Sequence, residues 1–154
     1  MIYRRVIFVC EDNLTSSPMA AAILQNISRI PNLEVLSRGL VVLFPEPYNP
    51  KIYGILFKHQ MLMPNGTAKA LEEKDFASDT LVLAMNREEK QKILTGYKNA
   101  ENVYTVMEYA GGSGDLMNPY GGDADLYRLF YESMNNWVSQ VENTLFQEIQ
   151  EEEQ

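Results

Sequence analysis

The sequence predicts an α/β protein, a three-layer sandwich whose central, mostly parallel four-stranded sheet carries helices on both faces. Three observations point there. Two continuous apolar runs, Val6-Ile7-Phe8-Val9 and Leu81-Val82-Leu83-Ala84-Met85, have the character of strands buried on both sides. Segments of strand type alternate with segments of helical type, which favours parallel strands joined by right-handed crossovers. Near the C-terminus, Leu126, Phe130, Met134, Trp137, Val141 and Leu145 recur at helical spacing.

Taken in order, residues 4–10 read as the first strand. Residues 17–29 read as a helix, with Ser16 or Ser17 as cap, Pro18 in the first turn and an apolar stripe of Met19, Ile23, Leu24 and Ile27. Pro31-Asn32 closes it, and the alternation at 33–37 reads as a second strand. Residues 39–50 form a loop, because Pro45, Pro47 and Pro50 bar regular structure. Its apolar residues make it a candidate contact surface or a cover over the edge of the core. A helix follows at 51–63, stopped by Pro64-Asn65-Gly66, then a short helix at 72–76. Residues 79–85 are the next strand, Asn86 caps a charged helix at 87–94, and 102–106 is the last strand. The Gly-rich stretch 108–122 reads as loop, and Asp123 opens the final helix.

Composition narrows the function. With 154 residues, the chain is read as one domain, 1–154, with 148–154 as an acidic tail. A net charge of -8 argues against nucleic acid and against anionic membranes as partners. No apolar run has the length of a membrane span, and the N-terminus lacks a signal-peptide pattern. One cysteine rules out an internal disulfide framework and fits a reducing cytoplasm. With a lone His59 and no Cys/His cluster, no metal site is expected, and no cofactor. Nothing in the sequence specifies an oligomeric state.

Cys10 is the residue to which the chemistry points. It ends the first strand, and open α/β sheets place their sites at the carboxyl ends of strands. A thiol between a strand and a helix N-terminus can face a bound oxyanion. Yet no Arg or Lys lies between Cys10 and Arg29, and Glu11 and Asp12 follow the thiol directly.

The stretch from Cys10 to Ala20 resembles the phosphate-binding loop of the low-molecular-weight protein tyrosine phosphatases. Cys10, Asn13, Ser17, Pro18, Met19 and Ala20 fall in register with that loop. Ser37-Arg38-Gly39 resembles the family's Ser-Ala-Gly strand end, and residues 79–85 its Asp-Leu-Ile-Leu-Ala-Met strand. Asn118-Pro119-Tyr120 resembles its Asp-Pro-Tyr loop, with bacterial-type residues on either side.

The resemblance implies a role for each matched position. Cys10 takes the nucleophile position, with Ser17 as the hydrogen-bond partner of its thiolate or as a helix cap. Glu11, Asp12, Asn13, Leu14 and Thr15 form the phosphate-binding loop, and Tyr120 walls the pocket. Three positions depart from the pattern: Ser16 stands for the loop Arg, Asp12 for the loop Gly, and Asn118 for the general-acid Asp. An Arg fork matches phosphate bidentately, and losing one such donor costs roughly 10²–10³ in rate. A general acid contributes about 10²–10⁴.

The expectation is therefore a catalytically impaired pseudophosphatase, acting as a binding or regulatory module for a phosphorylated or formerly phosphorylated protein. The alternative is an active cysteine-dependent phosphatase on an atypical substrate, a phosphotyrosine or phosphoarginine protein, with Arg38 as a substitute cation. A thiol-redox role lacks the second cysteine it needs.

Overall fold

The computed structural model describes residues 2–117, 119 and 122–153. Four strands, β1 (Arg5–Cys10), β2 (Glu34–Gly39), β3 (Thr80–Ala84) and β4 (Val103–Thr105), form one sheet in the order β2-β1-β3-β4. All three pairings are parallel. The helices are α1 (Ser16–Ile27), α2 (Pro50–Lys58), α3 (Arg87–Gly96), α4 (Val106–Tyr109) and α5 (Ala124–Glu152).

The alternation of β1 explains the layers. Val6, Phe8 and Cys10 face one way and pack with α1, α2 and α5, through Met19, Leu24, Ile52, Leu56, Phe130 and Met134. Ile7 and Val9 face the other way and pack with Ile93 of α3, Leu71 and Phe76. A strand covered on both faces needs apolar residues along its length, and β1 from Val6 and β3 from Leu81 have them.

Several boundaries differ from the sequence expectations for identifiable reasons. Helix α2 stops at Lys58, because Gln60 adopts a left-handed conformation (φ 61°). The amides of His59 and Met61 then turn back to the carbonyl of Leu56, closing the helix before Pro64 is reached. The segment 72–76 holds one 3₁₀ turn, Glu73–Asp75. The loop expected at 108–122 begins later, because Thr105 and Glu108 form a capping box that starts α4. The acidic tail is helical to Glu152, and Glu148 accepts a 2.9 Å hydrogen bond from the Tyr109 hydroxyl.

Helix α1 begins at Ser16 with Thr15 as N-cap, and no side chain caps it. The expected serine cap is absent because Ser17 turns its hydroxyl toward Cys10 instead. Strand β2 extends to Gly39, where a Cβ would lie 3.0 Å from the Asp12 carbonyl carbon and from Asn13 Cβ. Glycine there lets the β2 end back directly onto the Cys10 loop. In the 39–50 loop, Val41, Leu43 and Phe44 are exposed.

Candidate active site

The Cys10 loop leaves the sheet where strand order reverses. From β1 the chain passes to β2 on one side and later to β3 on the other, so a crevice opens between the β1 and β3 ends. A cavity of about 50 Å³ lies in it. The loop lines it through Cys10, Glu11, Asp12, Thr15 and Ser16. Met85, Asn86 and Glu89 form the β3–α3 side, and Leu116 and Met117 close over it. The Leu116 amide donates to the Met85 carbonyl at 3.1 Å, which fixes that cover to the end of β3.

Asn13 holds the loop in shape. Its backbone is left-handed (φ 58°), a conformation Asn tolerates better than most residues. Its fully buried amide group donates to Ser17 Oγ at 2.8 Å and to Ser37 Oγ at 2.9 Å. It also accepts from the Lys69 backbone at 2.9 Å. Among the described non-glycine residues of the Cys10–Ser17 loop, Asn13 alone has a positive φ. Asn49 braces the loop from the opposite side. Its Nδ2 donates to Thr15 Oγ1 at 3.2 Å and to Tyr127 Oη at 3.0 Å, and its amide to the Leu14 carbonyl at 2.9 Å. The Asn-Pro start of α2 marks Asn49 as a cap in the sequence, but not as a loop brace.

The thiol sits among these groups. Cys10 Sγ lies 3.0 Å from Ser17 Oγ and accepts from the Asn13 amide at 3.3 Å. Burial pushes the thiol up to about 11, against the lowering effect of the Ser17 hydroxyl and amide; Asp12 and Glu89 push it further up. At neutral pH it is a thiol, not a thiolate. Asp12 adds a second feature: its Oδ1 accepts the Leu14 amide at 3.0 Å and lies 3.8 Å from Cys10 Sγ.

The charges around the cavity are acidic. Glu11 is at the rim, paired with Lys92 at 3.3 Å. Arg38 is not a substitute cation: it donates to the Ser37 carbonyl at 2.8 Å, lies 3.7 Å from Asp75, and does not line the cavity. Glu89 was not singled out in the sequence, where its helix reads as uniformly charged. The signal was its i,i+4 relation to Ile93, which puts both on one face of α3, and both are buried. Glu89 Oε1 is buried without a hydrogen-bond partner. Burial, with the Glu11 charge behind it, raises this carboxyl to about 7, while the Glu11 and Met85 amides and Lys92 pull the other way.

The family model of the low molecular weight phosphotyrosine protein phosphatases matches residues 5–154. The chain belongs to this family. A curated phosphatase of the family from Staphylococcus haemolyticus, PtpB, is 32% identical over 84% of this chain and 91% of its own. A protein-arginine-phosphatase from Bacillus subtilis is 32% identical over 91% of this chain and 95% of its own. The solved YwlE arginine phosphatase of Geobacillus stearothermophilus superposes with a TM-score of 0.86, at 26% identity and 96% coverage of both chains. The four-stranded parallel sheet with helices on both faces is the architecture of these relatives.

Seen as a member of the low molecular weight phosphatases, the chain brings Cys10, Asn13 and Ser17 together. Ser16, at the position the resemblance gives to the loop Arg, is buried at the cavity wall. Asn118 and Tyr120, the general-acid and pocket-wall positions, lie outside the described residues.

Proposed function

We propose that this low molecular weight phosphatase homologue is a single domain that no longer hydrolyses phosphoesters efficiently. It serves as a binding or regulatory module for a phosphorylated or formerly phosphorylated protein in the reducing cytoplasm. The observation that carries the reading is the Asp12 carboxylate on the Leu14 amide at 3.0 Å. A loop amide that would serve a phosphate oxygen already serves an anion of the protein itself.

Two further features support it. A phosphate dianion entering this cavity meets Asp12 and Glu89 on its walls and no Lys or Arg among the lining residues. Phosphoryl transfer depends on positioning and charge neutralisation, and Ser16 supplies neither the reach nor the charge of an Arg. Cys10, with its thiol raised to about 11, offers roughly one thiolate in 10⁴ at pH 7. The relatives named as protein-tyrosine and protein-arginine phosphatases support a phosphoprotein as the class of partner.

The test is hydrolysis of p-nitrophenyl phosphate and of phosphotyrosine and phosphoarginine peptides. The wild type is expected to turn over more than about 10³-fold more slowly than an intact relative. An Asp12→Gly, Ser16→Arg, Asn118→Asp variant is expected to recover part of the difference. Wild-type turnover within tenfold of an intact relative would overturn the proposal. One observation favours the alternative of an active phosphatase on an atypical substrate: Glu89, a carboxyl raised to about 7, shares the cavity with the thiol and could hold a proton. Loss of phosphoarginine turnover in Glu89→Gln would favour that reading.

A further inference from the structure

We propose that the cavity beside Cys10 is a guanidinium site, which takes the head of an unmodified arginine side chain from a protein partner. It deepens the reading above and rests on it in one respect, that the loop no longer holds phosphate.

Glu89 is the starting point. A buried oxygen with no partner is costly, commonly about 1–3 kcal/mol and more for a charged group. Glu89 is only 7% exposed, lines the cavity, and leaves Oε1 unpaired. The other lining carboxyls are engaged: Glu11 with Lys92, and Asp12 Oδ1 with the Leu14 amide. A cationic donor in the cavity would satisfy Oε1 and offset the repulsion between Glu89 and Glu11.

The shape selects among cations. No three His, Cys, Asp or Glu residues among those described are close enough together to hold a metal ion. The carboxyls instead stand apart, Asp12 on the loop and Glu89 on α3, which suits a planar cation with donors along several edges. At about 15 Å³ for each water-sized site, a cavity of about 50 Å³ takes roughly three, the number of nitrogens a planar guanidinium carries. Met85, Leu116 and Met117 provide an apolar wall for the methylene stem. A lysine ammonium is more strongly hydrated and gives up more on entering.

Binding must couple to the ionisation of Glu89. The groups facing it are Cys10, Glu11 and Asp12 from the loop and Lys92 from α3. Asp115, before the Leu116 cover, is held by Arg87 at 3.2 Å. Of these, Glu11, Asp115, Lys92 and Arg87 already sit in ion pairs, and Cys10 stays neutral below about 11. Glu89, raised to about 7, changes charge between pH 6 and 8. A guanidinium prefers its ionised form, so affinity rises with pH, by about tenfold over that interval.

The experiment is calorimetric titration of the full chain with N-acetyl-arginine methylamide, its lysine counterpart and inorganic phosphate at pH 6, 7 and 8. Expected are saturable binding of the arginine compound, about tenfold tighter at pH 8 than at pH 6, and little binding of the other two. Glu89→Gln should weaken binding and flatten its pH dependence. Ser16→Arg, which supplies a tethered guanidinium, should block it without touching Glu89. Absence of arginine binding, equal binding of the lysine compound, or binding unaffected by both variants would overturn the inference. A wild type that binds arginine and also hydrolyses aryl phosphates at a relative's rate would support it and overturn only the preceding reading.

Discussion

Asn13 donates to Ser17 at 2.8 Å from a backbone in the left-handed region, so one side chain both shapes the loop and orients the hydroxyl beside the thiol. Asn13→Ala removes these bonds and the acceptor of the Lys69 amide, and leaves an Ala at φ 58°. The expected loss is about 2–4 kcal/mol, read as a lower urea midpoint. Asn13→Gly, which relieves the backbone conformation, should recover a part of it.

The thiol is expected to react slowly and with an unusual pH profile. Below the raised value of about 11 for Cys10, its thiolate fraction climbs tenfold per pH unit. Iodoacetamide alkylation should therefore rise about a hundredfold between pH 7 and 9, with no levelling near 9 as an ordinary cysteine shows. Asp12→Asn removes a negative neighbour, lowers the thiol's pKa, and shifts the curve to lower pH. A plateau below pH 9 in the wild type would contradict the burial-driven shift.

Glu89 should leave a mark on stability. Its carboxyl titrates near 4.5 when unfolded and about 7 when folded. Between those values the folded state holds a proton that the unfolded state has released, so this group's contribution falls as pH rises through the window and is flat above it. Glu89→Gln cannot ionise, so its Tm should gain on the wild type between pH 5 and 8, by about 2–4 °C for each kcal/mol involved. Parallel Tm curves for the two proteins would refute the shift.

Among the C-terminal acids, Glu148 has a structural role. Tyr109→Phe removes the 2.9 Å hydrogen bond to Glu148 and should cost about 1 kcal/mol by denaturant titration. Removal of residues 148–154 should cost at least as much. A truncated protein as stable as the full chain would show that the tail contributes nothing.

Much of this was legible in the sequence because the signals were local. The runs at 6–9 and 81–85 read as strands buried on both faces, and the alternation of strand and helix segments pointed to the parallel sheet. Cys10, Asn13 and Ser17 were recognisable through the family resemblance, whose loop occupies one strand-loop-helix turn. Glu89 was not, because a carboxylate in a charged helix reads as solvated unless the packing on α3 is known. The position of Arg38 depended on Asp75, distant in sequence, and no local pattern predicts that pairing. The early end of α2 and the late start of the loop expected at 108–122 turned on single residues, Gln60 in a left-handed conformation and Thr105 as a cap.

The Asp12 carboxylate on the Leu14 amide has a kinetic and thermodynamic corollary for any ligand of the loop. It is a competitor that cannot diffuse away. A tethered group two residues from its partner acts at an effective concentration of millimolar or above. Any free oxyanion must outcompete it at the Leu14 amide, so this contact weakens phosphate there by a factor that more phosphate can overcome. A ligand that brings a positive charge to the same carboxylate meets no such competitor.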